Sequence, residues 1–491
     1  MSTKGKQFPS EASSVDPPGI LKPSFDQFRR FWQSPEVERM LLCADIESNV
    51  AHVKMLGETG IIAKQVSADV VAGLEQIRKE MAQGVPVLQD GDVDIHSAIH
   101  RRLGDIVGGM ADVVRMAKSH NDQIATDIRL WLRDVTIDVY NLLLEVRFKL
   151  LQLAERDIDV VMPGYTHMQP AVPILLAHWW LANETRMARD FSRLSDFYKR
   201  MNVLPLGACQ LAGTTQPIDR QLVASYLHFD AVMENSLDAV SDRDYLIEFA
   251  SAASIIGVHL SQMSSELLLW STQEFSFVRL PRSFVFRSQS MPQKRNPELL
   301  EILRSRPSVL NGRLSQFLNE LKGLSVSYSQ DLQECLPGLL DVVENVKFIL
   351  ELTDVLLPAF KFDTVRMQKL ANADMTNSGH AIDYLIERDV PPDKAMKLVD
   401  QILDYCRERS KALPDLTLNE WIQFSPAFNE DIYNYVSLEN AVDSRISYGG
   451  TGGLQVQESL TRAVERLHAD KAHIDALSVK RLCCQGENSC S

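Results

Sequence analysis

Residues 287–306, RSQSMPQKRNPELLEILRSR, bring hydroxyl, ammonium and amide groups into one short segment. Lys294 supplies a cation, and Ser288 supplies a hydroxyl upstream of it. A cation beside a hydroxyl is suited to binding a carboxylate and to acid–base chemistry next to it. In most proteins this residue pattern marks an ordinary polar loop before a helix. The rest of the chain must therefore decide whether the segment is a functional site.

The second half of this segment predicts the start of a helix. Asn296 is a favoured N-cap residue, Pro297 suits the first helical position, and Glu298 lies in the first turn, where the helix dipole favours anions. A helix is therefore expected from Pro297. Its free N–H groups add to the attraction of Lys294 for an anion.

Two further polar clusters are KSHNDQ at residues 118–123 and MPGYTHMQP at residues 162–170. Taken singly, neither assigns a function. SHND is a good helix N-cap, and a histidine in a Pro-Gly loop is commonly a surface or packing residue.

The composition describes a folded, acidic protein. With 491 residues and 45% hydrophobic side chains, the chain can bury a substantial core. A net charge of -14 argues against nucleic acid or an anionic membrane as a partner, because both attract basic surfaces. Local positive groups must therefore hold any anionic substrate.

Both termini are expected to lie outside the folded domains. Residues 1–25 form a polar leader without the apolar segment of a signal peptide, and no run reaches the roughly 18 apolar residues of a membrane span, so a cytoplasmic protein is expected. Residues 476–491 form a tail with Cys483, Cys484 and Cys490. No partner residues complete a zinc pattern there, so we expect free thiols and no metal site.

Helical periodicity dominates the elements that must position the polar clusters. Residues 121–157 and 241–270 predict long buried helices, and a third runs from Pro297 with a kink at Pro307. These helices predict an all-α chain with a long bundle and residual apolar faces that pack between subunits. We expect an N-terminal helical domain at 26–118, a central bundle at 119–370 and a C-terminal helical domain at 371–475.

The last polar cluster resembles the signature GSSxMPxKxNP of the fumarase/aspartase superfamily. Within it, the chain is most similar to argininosuccinate lyases over roughly residues 40–460. Several long blocks carry this resemblance: NDQIATDIRLWLRD, MPGYTHMQP, NVLPLGACQLAGTTQPIDR, NSLDAVSDRDYLIEFASAAS, MPQKRNPELLEILR, KGLSVSYSQDLQE and GGTGG. Independent blocks of this length are far more specific than one short motif.

The resemblance implies an all-α homotetramer with a central bundle of about 20 helices. It also implies active sites built from loops of three subunits, which accounts for three separate polar clusters. The family reaction needs no cofactor or metal. It cleaves the C–N bond of an N-substituted aspartate, a small dicarboxylate and amino-acid substrate, and releases fumarate and an amine.

The resemblance also assigns catalytic roles. Removing a proton from Cβ creates a doubly charged aci-carboxylate, which Lys294 and Asn296 are suited to stabilise. Motif matching makes Ser288 the base, as an alkoxide that loop amides and the lysine stabilise. His167 is the alternative base or the acid for the leaving amine, with Glu301 orienting its ring and raising its pKa.

Substrate-binding roles follow from the same motifs. Ser119, Asn121 and Thr166 match positions that hold the two carboxylates. Tyr328 and Gln333 match positions near the amine part.

Several positions depart from the family pattern. At three positions that the motifs place in the substrate pocket, His120 replaces an arginine that binds carboxylates through two hydrogen bonds, Leu336 replaces a lysine, and Asn49 replaces a serine. Arg287 and Gln289 flank Ser288 where the family has glycine and serine, so a bulky cation occupies the position of a flexible hinge.

Three interpretations remain open: a fumarate-releasing carbon–nitrogen lyase with another amine, argininosuccinate lyase proper, and a non-catalytic protein like the δ-crystallins on the same fold. An enzyme is favoured, because the chain retains Ser288, Thr166, His167, Lys294 and Asn296 together.

Overall fold

The computed structural model describes residues 35–89, 91–373 and 375–482, so the leader and the three tail cysteines lie outside the described residues. Its α-helices are α1 Pro35–Glu38, α2 Leu42–Glu58, α3 Lys64–Ala82, α4 Ile95–Val107, α5 His120–Arg156, α6 Leu176–Met201, α7 Arg220–Tyr226, α8 Ser236–Ser241, α9 Asp244–Trp270, α10 Glu298–Ser305, α11 Pro307–Leu321, α12 Cys335–Leu356, α13 Thr364–Ala373, α14 Ser378–Ile386, α15 Pro392–Arg409, α16 Leu418–Phe424, α17 Ile432–Tyr435, α18 Leu438–Asp443 and α19 Gly453–Ser478. The prediction of an all-α chain is confirmed.

Short strands pair into two-stranded sheets. They are β1 Val161–Thr166, β2 Gln169–Leu175, β3 Val203–Leu204, β4 Ala231–Val232, β5 Val278–Arg279, β6 Phe286–Arg287, β7 Arg295–Asn296 and β8 Lys361–Phe362. β1–β2, β5–β8 and β6–β7 are antiparallel, and β3–β4 is parallel. Helical periodicity did not predict β1 and β2.

The long helix α5 begins where the sequence places a cap. Ser119 Oγ accepts a hydrogen bond from the Asn121 N–H at 3.4 Å, and the Asp122 carboxylate accepts one from the Ser119 N–H at 2.8 Å. This reciprocal pair satisfies two donors at the helix start. The following 37 residues are buried on most faces because α5 packs against α2, α6, α12 and α19. The helix predicted at 121–157 is confirmed.

Helix α9 lies in the middle of the bundle, against α6, α11 and α12. It begins at Asp244, a few residues after the predicted start, because Asp242 has extended backbone with ψ 127°. By length and composition α9 could cross a membrane, but 56% of its most apolar stretch is buried among its neighbours. A Cβ added to Gly257 would lie 2.8 Å from Pro307 Cβ, so this glycine allows α9 and α11 to approach closely.

The third predicted helix is two helices, because Pro307 starts α11 after a break at Arg306. Its predicted start needs correction: α10 begins at Glu298, and Pro297 has non-helical backbone. Asn296 does not cap the helix, because its pairing with Phe286 holds it in strand β7. Its side chain points instead toward Glu298, with Nδ2 3.5 Å from Oε1.

The buried apolar side chains form one main core and smaller ones. The main core joins residues between Leu41 and Leu477, including side chains from the predicted N-terminal and central domains. A separate core lies between Ala381 and Val436 in the C-terminal part. The predicted domain boundaries stay predictions.

Candidate functional site

A cavity of about 360 Å³ lies between α2, α4 and the N-terminal end of α5. It is lined by Asn49, Ser119 and His120, three of the residues for which the sequence analysis predicts a binding role. Lys118 and His96, which the sequence analysis did not single out, line it as well. This is the part of the predicted site that a single chain assembles.

Helix α2 contributes a buried polar stripe to the cavity floor. Asp45, Ser48, Asn49 and His52 follow the i, i+3, i+4, i+7 spacing of one helix face, and none is more than 4% exposed. Ser48 Oγ donates to Asp127 Oδ1 on α5 at 2.8 Å. A buried polar face at helical spacing is unusual unless its groups are paired. Here their partners include His96 on α4, the Met116 carbonyl and Asp127 on α5.

Two buried carboxylates hold His96 in its charged form. His96 Nδ1 hydrogen-bonds the Asp45 carboxylate and lies 3.9 Å from Asp127 Oδ2. Burial opposes the charge, but attraction to the two carboxylates outweighs it and raises the pKa of His96 to about 9. Burial and the Asp45 charge raise the pKa of Asp127 well above its usual value. His96 and Asp45 therefore form an ion pair, with Asp127 beside it.

The Lys118 ammonium group is hydrogen-bonded to two side-chain amide oxygens. Its Nζ donates to Asn49 Oδ1 at 2.5 Å and to Gln123 Oε1. Burial lowers the pKa of Lys118, while attraction to Asp45 and Asp127 partly compensates. Both oxygen partners are neutral, so among the described residues the ammonium has hydrogen-bond acceptors but no carboxylate in contact.

His120 is neutral near pH 7, unlike the arginine of the family pattern. Burial, followed by repulsion from charged His96, lowers the pKa of His120 to about 4. The two rings meet edge to face with centroids 4.7 Å apart. Gln333 Nε2 lies 3.4 Å from His120 Nε2 and donates to Tyr328 Oη at 3.0 Å. The structure thus brings His120, Tyr328 and Gln333 together, and their predicted role in binding the substrate stays a prediction.

Asn121 lies in the first turn of α5, and its side-chain amide donates to the Gln210 carbonyl at 3.1 Å. Ser119, its cap partner, lines the cavity. Their predicted role in holding carboxylates stays a prediction.

The second cluster forms the tip of the β1–β2 hairpin. Thr166 pairs with Gln169, and His167 and Met168 form the turn between them. Both turn residues have positive φ, 51° and 60°, which non-glycine residues rarely adopt. Thr166 and His167 are exposed at the tip. Among the described residues, no hydrogen bond joins either side chain to the cavity.

The third cluster forms the β6–β7 hairpin. Ser288 Oγ accepts from the Met291 N–H at 3.2 Å and lies 3.4 Å from Ser290 Oγ. The Ser288 N–H donates to the Lys294 carbonyl at 3.2 Å, which closes the loop. Lys294 is exposed, so its ammonium is available to a ligand. Arg287 and Gln289, the departures from the family signature, are exposed beside Ser288.

Glu301 lies on the exposed face of α10. Within the described part of this chain, no ion pair joins it to His167. The predicted His167–Glu301 pair, and the roles of Ser288, Lys294 and Asn296, stay predictions.

Leu336 does not line the cavity, so this expectation from the motif position was wrong. Its side chain is 3% exposed and belongs to the main core, because α12 begins at Cys335 and directs Leu336 into the bundle. The two other changed positions, His120 and Asn49, do line the cavity.

The sequence analysis missed Asp45, His96, Lys118, Gln123 and Asp127. A signal was present, since polar residues at helical spacing recur on α2 and at the start of α5. Ligand atoms of Asp45, His96 and Asp127 lie within 4.8 Å of one another, a spacing that suits a metal ion. Their mutual hydrogen bonds explain that spacing, and the nearby Lys118 ammonium opposes a second cation, so we assign no metal there.

Comparison of the fold defines a class of protein. A structure of EDDS lyase in complex with formate superposes with a TM-score of 0.80 at 25% identity, covering 91% of this chain and 93% of that one. A fumarate lyase from Mesorhizobium sp. BNC1 superposes with a TM-score of 0.70 at 16% identity, which shows the fold alone. The helical bundle therefore has the fumarate lyase fold.

Sequence comparison defines the family. The lyase family model matches residues 22–312, and the model of the argininosuccinate lyase C-terminal region matches residues 376–443. An argininosuccinate lyase of Synechococcus sp. strain JA-3-3Ab is 44% identical over 91% of each chain. One from Nostoc sp. strain PCC 7120 is 44% identical over 85% of this chain and 91% of its own. The chain therefore belongs to the lyase family, as an argininosuccinate-lyase-like carbon–nitrogen lyase.

Proposed function

We propose that this protein eliminates fumarate from an N-substituted aspartate other than argininosuccinate. The observation that carries the proposal is His120, a neutral imidazole in the cavity where the family pattern has a permanently charged, forked guanidinium. Relatives at 44% identity favour argininosuccinate lyase proper as the second candidate.

The reaction begins with removal of a proton from Cβ of the aspartate by the Ser288 alkoxide. The electron pair moves into the adjacent carboxylate and forms the aci-carboxylate, which Lys294 and Asn296 stabilise. The pair then returns to form the double bond of fumarate, and the C–N bond breaks. The leaving amine takes a proton from His167, which Glu301 orients.

A homotetramer supplies the complete site. The hairpin tip with Thr166 and His167 and the loop with Ser288 are exposed, and their side chains have no bonds to the cavity within the described chain. Exposed apolar side chains on the bundle helices, among them Phe148, Leu318 and Val355, are available to pack against other subunits. A small-molecule substrate, no nucleic-acid or membrane partner and a cytoplasmic location complete the proposal.

The neutral His120 changes which amine the site accepts. A buried polar or charged substrate group that loses its partner costs about 1–3 kcal/mol, which is roughly tenfold to hundredfold in specificity. Argininosuccinate carries a zwitterionic arginine part, and the cavity offers it an imidazole instead of a guanidinium. We therefore expect argininosuccinate to be a poor substrate.

The test compares kcat/KM for argininosuccinate in the unmodified protein and in His120→Arg, with fumarate release as the readout. We expect a value below ~10⁴ M⁻¹s⁻¹ for the unmodified protein and a rise of roughly tenfold or more in the variant. His120 lines a cavity, so the larger side chain has room. A value above that threshold in the unmodified protein would establish argininosuccinate lyase proper. Absence of fumarate release from every N-substituted aspartate supplied would favour the non-catalytic interpretation.

A further inference from the structure

Lys118 is a partly buried cation whose ammonium is held by neutral groups. Its two hydrogen-bond acceptors are the amide oxygens of Asn49 and Gln123. Within the residues that the structure describes, it forms no ion pair. A desolvated ammonium without a counter-ion is costly, and an anion that reaches it would repay that cost.

The neighbouring carboxylates already have partners. Asp45 is paired with His96, and Asp127 accepts from Ser48. Asp122 accepts from the N–H groups of Ser119, Gly207 and Cys209 at 2.8 Å each. These acids attract Lys118 at longer range but do not bind it, so its free donor capacity is available to a ligand in the cavity.

The cavity as a whole favours an anion. Its lining contains the cations Lys118, Arg115 and charged His96, against the carboxylates Asp45 and Asp94. The Asp94 carboxylate accepts from the Ser97 N–H at 2.7 Å as the cap of α4. Because His120 is neutral where the family pattern has a charged arginine, Lys118, two residues before it, is a cation that can bind a substrate group in its place.

We infer that Lys118 is a specificity-determining residue that binds a carboxylate on the amino substituent, so the leaving amine is an amino acid or another aminocarboxylate. The inference rests on the proposed function. The two carboxylates of the reacting aspartate have other predicted partners in Ser119, Asn121 and Thr166, and Lys118 lies in the same cavity as His120, whose neighbours Tyr328 and Gln333 are predicted to lie near the amine.

The experiment runs the reaction towards addition, in which the amine nitrogen bonds to one alkene carbon of fumarate and a proton is added to the other. β-Alanine and β-alaninamide are matched probes that differ in one carboxylate, and glycine with glycinamide forms a shorter pair. Rates are normalised to the unprotonated amine, because the amide lowers amine basicity. Fumarate consumption and the mass of the adduct are measured for each.

We expect the unmodified protein to prefer the carboxylate probe in one pair by ~tenfold or more, the scale of a charge-assisted hydrogen bond. Lys118→Met should bring that ratio to near one, and Lys118→Arg should keep most of it. Lys199→Met is the control for the same substitution at an exposed position on α6, where Lys199 pairs with Asp196 at 3.0 Å. It should leave the ratio unchanged.

Three results would overturn the inference: no preference in the unmodified protein, a preference that survives in Lys118→Met, or an equal loss for both probes, which places Lys118 on the fumarate side. If Lys118→Met does not fold, Lys118→Gln removes the charge with a polar side chain, and the preference of the unmodified protein still decides. If no probe reacts and no N-substituted aspartate releases fumarate, the proposed function itself fails.

Discussion

His96 and His120 lie edge to face, yet their charges differ near neutral pH. The pKa of His96 is about 9 because buried carboxylates surround it, whereas burial and the His96 charge bring the pKa of His120 to about 4. Two histidines that line one cavity therefore differ in charge. His96 supplies fixed charge, and His120 supplies a neutral wall with Gln333 and Tyr328.

The raised pKa of His96 predicts a pH dependence of stability. Its folded value of about 9 exceeds the ordinary 6.5, so its contribution is full below pH 6.5 and is lost as the pH rises to about 9. The loss is on the order of 3 kcal/mol in the free energy of unfolding. Urea unfolding at a series of pH values from roughly 6 to roughly 9.5 should show this decline in the unmodified protein. His96→Gln should lack it, and equal declines in both proteins would refute the assignment.

Ser288 has a prediction of its own. Ser288→Ala should lower turnover by several orders of magnitude and leave folding and assembly intact, because an exposed loop hydroxyl contributes chemistry and little packing. Turnover is followed by fumarate release, and assembly by light scattering. Ser290→Ala, which removes the hydroxyl 3.4 Å away, is the matched control and should change turnover far less. Near-normal turnover in Ser288→Ala would remove this serine from the mechanism.

At the scale of elements, apolar periodicity predicted the long helices but not the details of the hairpins. Helix α5 has a cap and a buried face on each side, so sequence alone determines its extent within a residue. The β1–β2 turn uses His167 and Met168 at positive φ, where glycine or asparagine would have signalled a turn. Asn296 is a residue type that commonly caps helices, but its pairing in β7 prevents it from capping α10.

Two helical glycines give a matched test of helix packing. Gly257→Ala should lower the free energy of unfolding by about 1–3 kcal/mol, because its Cβ would lie 2.8 Å from Pro307 Cβ where α9 meets α11. Gly312→Ala on α11 should raise it by about 0.5–1 kcal/mol, because nothing lies within 4 Å and alanine favours the helix. Denaturant unfolding measures both, and the same sign for both would contradict the close approach.

At the scale of the whole molecule, one chain assembles only part of the candidate site. The cavity is lined by Asn49, Ser119 and His120, but the loops with the proposed catalytic residues are elsewhere on the chain. Sequence motifs identified these residues without showing which would meet. Other polar residues of α2, α4 and α5 that line the cavity were not predicted from the sequence, because the motifs lie mainly in loops, whereas Asp45 and His96 lie within helices.

The proposal that subunits share each site predicts complementation. Inactive Ser288→Ala and Thr166→Ala proteins, mixed after mild dissociation, should regain part of the unmodified activity, because some sites would receive an intact serine from one subunit and an intact threonine from another. Native mass spectrometry verifies the exchange. Proven exchange without recovery would mean that each site is built from one chain.

The turn at His167 and Met168 has a consequence for how this protein could evolve. A left-handed backbone at a non-glycine residue costs about 1–2 kcal/mol, and the turn contains two such residues in succession. Met168 is 66% exposed, so glycine there would relieve strain with little loss of packing. Selection for heat resistance should therefore accept glycine or asparagine at position 168 early. Under simultaneous selection for activity, His167 should be retained because of its proposed role as an acid. Of the two neighbouring turn residues, only Met168 should then be free to change.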